Sequence, residues 1–344
     1  MPERTDFAPT LSPRFAAYIR DFLMDRGVNP GPIFEQCAVP ADANEESDRP
    51  LSVETVARLF ERAAEVTGDS AIGLSMGRDF HYESSSLLIV AMLAAPSVGE
   101  GLKLLHKYDR FIDSGISTAF YPGRTPTEFT ADLLHEGAED MVQLNEYLMA
   151  FLVKTLRMAT RQPVPLLEVS FQNNGSVNEA SLMEFFKCPL KFSAEHNCIA
   201  FHPRFLEQRF LTSNNLLFRV LQNVMETYFS FSETHGGFLG LVCRQIMMET
   251  DISAVNAETV ASRLNVSART LRRRLSGEGV SFQEAKTLAR ERRAKYLLSN
   301  GNVSLTEIAY ELGYSELSAF SRAFRSWCGE TPQAYRENIR ALVI

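Results

Sequence analysis

A chain of 344 residues exceeds one typical hydrophobic core, so two domains are expected. Hydrophobic content of 45% and charged content of 22% are ordinary for a soluble globular protein. The net charge of −7 argues against DNA binding taken whole, but residues 240–344 hold 15 Lys+Arg and 11 Asp+Glu, a balance of +4 that leaves −11 for the rest. An acidic front half repels DNA and a basic tail attracts it, the asymmetry of a regulator with separate sensing and DNA-binding parts.

Residues 1–12 read as a loose tail. Phe15 to Met24 predicts a helix with Phe15, Ile19, Phe22 and Leu23 on one face. After a polar loop over 38–50, Ser52 caps a helix striped by Val56, Leu59, Phe60 and Ala63. Ser84 to Ala94 and Val98 to Phe111 predict two more helices, broken at Pro96. Ile116 to Tyr121 and Thr127 to Leu133 alternate around Pro122-Gly123, a hairpin. Asp140 to Thr160 is a long amphipathic helix, with Glu139-Asp140 marking its start. Leu167 to Phe171 is a strand ending at Asn173-Asn174-Gly175, followed by a short helix at Glu179 to Phe186 and edge strands near Leu190–Phe192 and Cys198–Phe201. In the last front helix, Leu216 to Phe231, the helical spacing of Leu217, Leu221, Val224 and Tyr228 points to pairing with a second copy. Thr234-His235-Gly236-Gly237 marks the boundary. The expected fold is an α+β effector-binding and dimerisation domain over 13–233, joined to an all-α domain over 237–344.

That back domain contains one pattern twice, about 48 residues apart. The first copy runs Val260-Ala261-Ser262-Arg263-Leu264-Asn265-Val266-Ser267, then Leu271-Arg272-Arg273-Arg274-Leu275. The second runs Ile308-Ala309-Tyr310-Glu311-Leu312-Gly313-Tyr314-Ser315, then Phe320-Ser321-Arg322-Ala323-Phe324. Each reads as helix, tight turn, helix, over about 257–276 and 305–327. Ala261 and Ala309 are small where helices pass closely, and Asn265 and Gly313 sit at the turns, where a left-handed backbone is tolerable. Ser267 caps the second helix of the first unit. With Leu271 and Leu275 facing inward, Arg269, Arg272 and Arg273 share the outer face, and Arg274 completes the arginine run. In the second unit Phe320, Phe324 and Trp327 face inward, leaving Ser318, Ser321, Arg322 and Arg325 outside. Arg322 aligns with Arg273. Arginine grips guanine O6 and N7 together, worth about 1–3 kcal/mol of discrimination per base. Phe282 to Leu298, a bridging helix carrying Lys286, Arg290, Arg292, Arg293 and Lys295, sets the two units roughly 34 Å apart, one turn of DNA. Its expected core stripe is Leu288, Ala294, Leu297 and Leu298.

Residues 258–338 resemble the DNA-binding domain of the AraC/XylS family of bacterial transcription regulators. The signature is Ser304 to Tyr314 followed by Ser318 to Trp327, closed by Gly329-Glu330-Thr331-Pro332 and Tyr335-Arg336. The resemblance implies base contacts from Arg269, Arg272 and Arg273, and from Leu317, Ser318, Ser321 and Arg322. Leu317 departs from the polar residue common there and is suited to a thymine methyl instead. Residues 15–230 resemble the family's partner domain of the arabinose-binding type, second form, through Val53–Met76, Ala94–Leu102 and Phe185–Phe192. Mainly helices with a few strands are expected here, whereas a sugar-binding jelly roll needs many regular strands. The resemblance implies a transcription regulator, generally an activator, that binds promoter double-stranded DNA as a homodimer, answers to a small-molecule effector and meets RNA polymerase.

The five scattered cysteines, Cys37, Cys188, Cys198, Cys243 and Cys328, lack any C-x-x-C and fit a reduced cytosol. Met1 to Thr10 lacks the apolar core of a signal peptide, and Ser86 to Pro96 is too short to span a bilayer, so the chain reads as cytoplasmic, nucleoid-associated and without a membrane partner. His196, Cys198 and His202 alternate but read as surface residues, so no metal or cofactor is expected. His81-Tyr82 and His106-Lys107-Tyr108 read as half-buried packing. No phosphate loop, H-E-x-x-H or G-x-S-x-G occurs, and no catalytic residue is assigned. The alternatives are a DNA-repair or other enzyme with a helix-turn-helix targeting tail, which in an alkyl transferase would need an activated cysteine, and an architectural DNA-binding protein without a ligand.

Overall fold

The computed structural model of the chain describes residues 9–40, 50–80, 86–234, 238–247, 249, 252, 254–264, 266–299 and 303–342. Asn265, His81, Tyr82 and His235 to Gly237 lie outside them, as do the side chains of Phe111 and Tyr228. The chain forms two compact units that part between Gln222 and Asn223, within the helix Asn215–Thr234.

The front unit is α+β. Strands β1 (Thr10–Leu11) and β2 (Leu51–Ser52) pair antiparallel. Helices α1 (Arg14–Asp25), α2 (Gly31–Gln36), α3 (Val53–Thr67), α4 (Ile72–Asp79), α5 (Leu87–Ala94) and α6 (Val98–Ile112) precede the hairpin β3 (Ile116–Tyr121) and β4 (Thr127–Leu133). Helix α7 (Val142–Thr160), β5 (Leu166–Ser170), α8 (Glu179–Phe186), β6 (Leu190–Lys191), β7 (Cys198–Phe201) and α9 (Asn215–Thr234) follow. Local chemistry sets several of these ends. Ser52 accepts a hydrogen bond from the Thr55 amide at 3.1 Å, and Gly68 ends α3 with φ of 67°.

The five-stranded sheet runs β3-β4-β7-β5-β6, with only β5 and β6 parallel. Cys198–Phe201 is therefore a central strand, not the edge strand its shortness predicts. Ile199 and Phe201 are fully buried, as a four-residue strand with neighbours on both sides requires.

Two helices, α2 and α4, were not expected. Helix α4 contains Gly73 and Gly77, residues that ordinarily count against a helix. Here they let α4 lie against α7. A Cβ on Gly73 would stand 2.0 Å from the Gln143 carbonyl oxygen, and one on Gly77 would stand 2.6 Å from the Ala150 Cβ. The Gly73 amide also donates to the Gln143 side chain at 2.9 Å. Gly73→Ala should therefore force the helices apart and destabilise the front unit by about 1–3 kcal/mol, as overpacking does. Urea unfolding of the full chain checks this, and an unchanged midpoint would refute the close packing.

The back unit is all helix: α10 (Phe238–Met247), α11 (Ala257–Arg263), α12 (Ala268–Gly277), α13 (Phe282–Ser299), α14 (Leu305–Glu311), α15 (Leu317–Cys328) and α16 (Pro332–Leu342). Helices α11–α12 and α14–α15 are two helix-turn-helix units bridged by α13.

Candidate nucleic-acid interface

Each helix-turn-helix unit closes over its own small core. In the first, Val260, Ala261, Leu271 and Leu275 are buried. In the second, Ile308, Ala309, Phe320 and Phe324 are buried, and Phe324 meets Trp327 and Tyr335 edge-on at 6.3 and 5.4 Å. The starts of α12 and α14 are capped. Ser267 accepts from the Thr270 amide at 3.1 Å, and Ser304 and Glu307 form a reciprocal capping box at 2.8 and 3.2 Å. Those hydrogen bonds hold the Glu307 carboxyl below its usual range. The second turn passes through Gly313 at φ of 80°, a left-handed conformation that favours glycine.

With Leu271 and Leu275 inward, α12 exposes Arg269, Arg272 and Arg273 along one face. Arg272 is held 2.6 Å from Glu258 on α11, and both side chains are exposed. Arg274 turns the other way. Its guanidinium is half-buried and lies 5.5 Å from the Phe238 ring centre, which removes it from the outer face that the arginine run implies. Ser267, engaged as a cap, remains exposed at the head of the helix.

On α15, Ser318, Arg322 and Arg325 are exposed, while Leu317 and Ser321 are half-buried beside them. Glu316 accepts a hydrogen bond from Ser318, and its carboxylate lies 3.7 Å from Arg322. Glu258 and Glu316 were overlooked in reading the sequence. Both adjoin the arginine rows, Glu258 at 2.6 Å from Arg272 and Glu316 at 3.7 Å from Arg322. The signal that finds them is an acidic residue at a helix start opposite an arginine.

Two of the charges of α13, Lys286 and Arg293, are tied into the domain rather than presented outward. Lys286 is buried and donates to the Val255 carbonyl at 2.7 Å. Arg293 bonds the Glu249 and Met247 carbonyls and the Glu311 carboxylate, the last at 2.8 Å. Lys295 pairs with Glu291 at 2.6 Å, and Arg290 lies over the Tyr314 ring. Small residues Ala285, Ala289 and Ala294, with Leu297 and Leu298, are the buried face, and Leu288 is only half-buried. Arg293→Ala should loosen the packing of α13 against α14 and the end of α10, and cost about 1.5–3 kcal/mol, the range for hydrogen bonds to a charged group. Chemical unfolding of the full chain measures it, and a loss below experimental error would show that Arg293 is not a strut.

The comparisons with known proteins agree with this architecture. Residues 27–210 match the family described as the arabinose-binding domain of AraC transcription regulators, and residues 260–338 match a helix-turn-helix domain. The chain belongs to the AraC family of transcription regulators. Among AraC-family relatives, it is 24% identical to the ornithine utilization regulator of Pseudomonas aeruginosa, over 98% of this chain and 99% of that one. It is 25% identical to the regulator VirS of Mycobacterium tuberculosis, over 92% and 93%. The solved transcriptional regulator CdpR of Pseudomonas aeruginosa is 21% identical with a TM-score of 0.48, over 94% of this chain and 98% of that one. Like other AraC-family members, this chain is a transcription regulator with a helix-turn-helix DNA-binding half and a ligand-type front domain.

Elsewhere, His196 contacts Asp132 at 2.7 Å, and His202 accepts from the Arg204 amide, so the two histidines serve different local structures. His106 contacts Thr118 at 3.0 Å and Tyr108 is buried. Among the described residues no group of three or more His, Cys, Asp or Glu is placed to hold a metal, and no helix is long and apolar enough to cross a membrane. Burial pushes the Cys198 and Cys243 thiols up to about 12 and Cys188 to about 11, and also raises Cys37 and Cys328. Such thiols stay protonated near neutral pH, the opposite of an activated acceptor.

Proposed function

We propose that the chain binds promoter DNA through α12 and α15, set in successive major-groove segments, and activates transcription in response to a small effector. The observation that carries this is the pair of equivalent helices, each with an exposed polar row: Arg269, Arg272 and Arg273 on one, Ser318, Arg322 and Arg325 on the other. Ser267, Ser321 and Leu317 flank these rows and complete the proposed contact set. The working halves are the effector and dimerisation domain, 13–233, and the DNA-binding domain, 237–344.

Homodimerisation is proposed through α9. Leu216, Leu217 and Val220 are exposed by 75%, 40% and 50%, and Leu221 and Val224 are half-buried along the same helix. An apolar row of this kind is stable in water when a second copy covers it. The resemblance to AraC/XylS regulators favours activation through RNA polymerase, in the cytoplasm at the nucleoid. The raised cysteine pKa values weigh against the alkyl-transferase alternative.

Selection of bound duplexes from a random library by the full chain, near physiological salt, tests the reading. Two short enriched blocks about one helical turn apart are expected. Binding without enrichment would mean that the arginines hold only phosphates, and the reading would fall.

A further inference from the structure

The front unit holds a partly open cavity of about 140 Å³ between α1, α5, α6, α7 and the β3–β4 hairpin. One wall is aromatic: Tyr18 meets Phe80 edge-on at 5.4 Å, Phe80 meets Phe151 edge-on at 4.5 Å, and Tyr147 stacks on Phe151 at 5.9 Å. Aliphatic side chains complete the apolar lining, including Leu88, Leu105 and Leu152. Polar side chains also line the cavity, among them Arg14, Asp109 and Asp113.

Three properties define the occupant. A cavity near 150 Å³ lined by Leu, Ile and Phe is the size that holds one benzene ring. Aromatic walls at edge-to-face angles favour an aromatic guest. Several of the polar groups that line the cavity are already knitted to the protein. The Asp109 carboxylate accepts from the Thr118 amide at 2.8 Å, Asp113 accepts from the Ser12 amide at 2.6 Å, and the Tyr18 hydroxyl donates to the Met76 carbonyl at 2.7 Å. A sugar brings a hydroxyl on nearly every carbon and would leave most of them unmatched here. With two carboxylates and one guanidinium in the lining, the charge balance also disfavours an anionic guest.

We infer that this cavity is a ligand site for a neutral, single-ring aromatic molecule with one small polar substituent, of the phenol class, and not for a sugar. The inference rests on the front unit being the effector-binding half, but its test does not involve DNA, so it stands or falls separately from the reading of α12 and α15.

The full chain is titrated with phenol, benzoate and L-arabinose up to millimolar concentration, and binding is followed by the unfolding temperature and by tyrosine fluorescence. A saturable rise in Tm with phenol is expected, at least tenfold weaker binding of benzoate, and no response to L-arabinose. Ala131→Phe, which fills the cavity from β4, should abolish the phenol response. Phe151→Ala, which widens it, should newly admit the two-ring 2-naphthol, a gain that misfolding cannot mimic. Tighter binding of benzoate or L-arabinose than of phenol, no saturable response to phenol, or failure of Phe151→Ala to admit 2-naphthol would each overturn the inference.

Discussion

The double variant Arg273→Ala, Arg322→Ala should lose about 2–6 kcal/mol of binding to its selected site, if each arginine reads one base at about 1–3 kcal/mol. That is a loss of about thirtyfold to about twenty-thousandfold, since each 1.4 kcal/mol is roughly a factor of ten. Binding to unrelated duplexes should fall much less, because two of many phosphate-facing charges are removed. The fold should survive. Arg273 is exposed, and the 3.7 Å contact of Arg322 with Glu316 joins side chains that are 73% and 63% exposed, a pair of little energetic weight. Equilibrium binding to the selected and a scrambled duplex, over a range of salt, separates the outcomes. An equal loss on both duplexes would demote the arginines from base readers to phosphate contacts.

Glu146 is the second site where a single change should be large. It lies on α7, fully buried, with the Ser176 hydroxyl donating to one carboxyl oxygen at 2.5 Å. Burial, with the nearby Glu61 charge adding to it, raises the carboxyl to about 7, from an ordinary 4.5, against the opposing pull of the Ser176 bond. The folded chain therefore holds a proton that the unfolded chain has released between those two values. Stability from this group is fully present below about pH 4.5 and is lost as pH rises through about 7. Ionising Glu146 above that range costs about 3 kcal/mol, at 1.36 kcal/mol per pKa unit. Glu146→Gln keeps an acceptor for Ser176 and cannot ionise. The variant should match the natural chain near pH 5 and exceed it by up to about 3 kcal/mol near pH 8. Urea unfolding at both pH values checks this, and a difference that does not widen with pH would show that Glu146 does not titrate there.

The back half was the more legible part of this chain. The capping box of Ser304 and Glu307, the left-handed Gly313 and the i,i+4 pair Phe320 and Phe324 act over four residues or fewer, so their meaning is complete within a short window. The same holds for Ser267 and Ser52 as caps, and for the hairpin whose two runs pair in antiparallel register from Ile116 opposite Leu133 to Tyr121 opposite Glu128. Arginines were harder. Arg273 and Arg274 are neighbours of identical chemistry, yet one is exposed and the other lies over Phe238, a residue 36 positions earlier. A two-residue sequence window cannot hold that partner.

By itself the sequence determined an acidic α+β front half, a helical basic tail, two helix-turn-helix units and the faces of α12 and α15 that carry Arg269, Arg273 and Arg322. These follow from helical period, capping and turn chemistry, which are short-range. Only the tertiary structure decided that Gly73 and Gly77 are contact points in α4 rather than breaks, and that Cys198–Phe201 is the centre of a sheet. It likewise decided that Lys286 and Arg293 of α13 bind carbonyls and a carboxylate inside the domain, and that an aromatic cavity forms from Ser12 to Leu152. Each depends on which distant surface a side chain meets. A glycine, a short apolar run or a buried lysine has no fixed meaning until close packing supplies its neighbour.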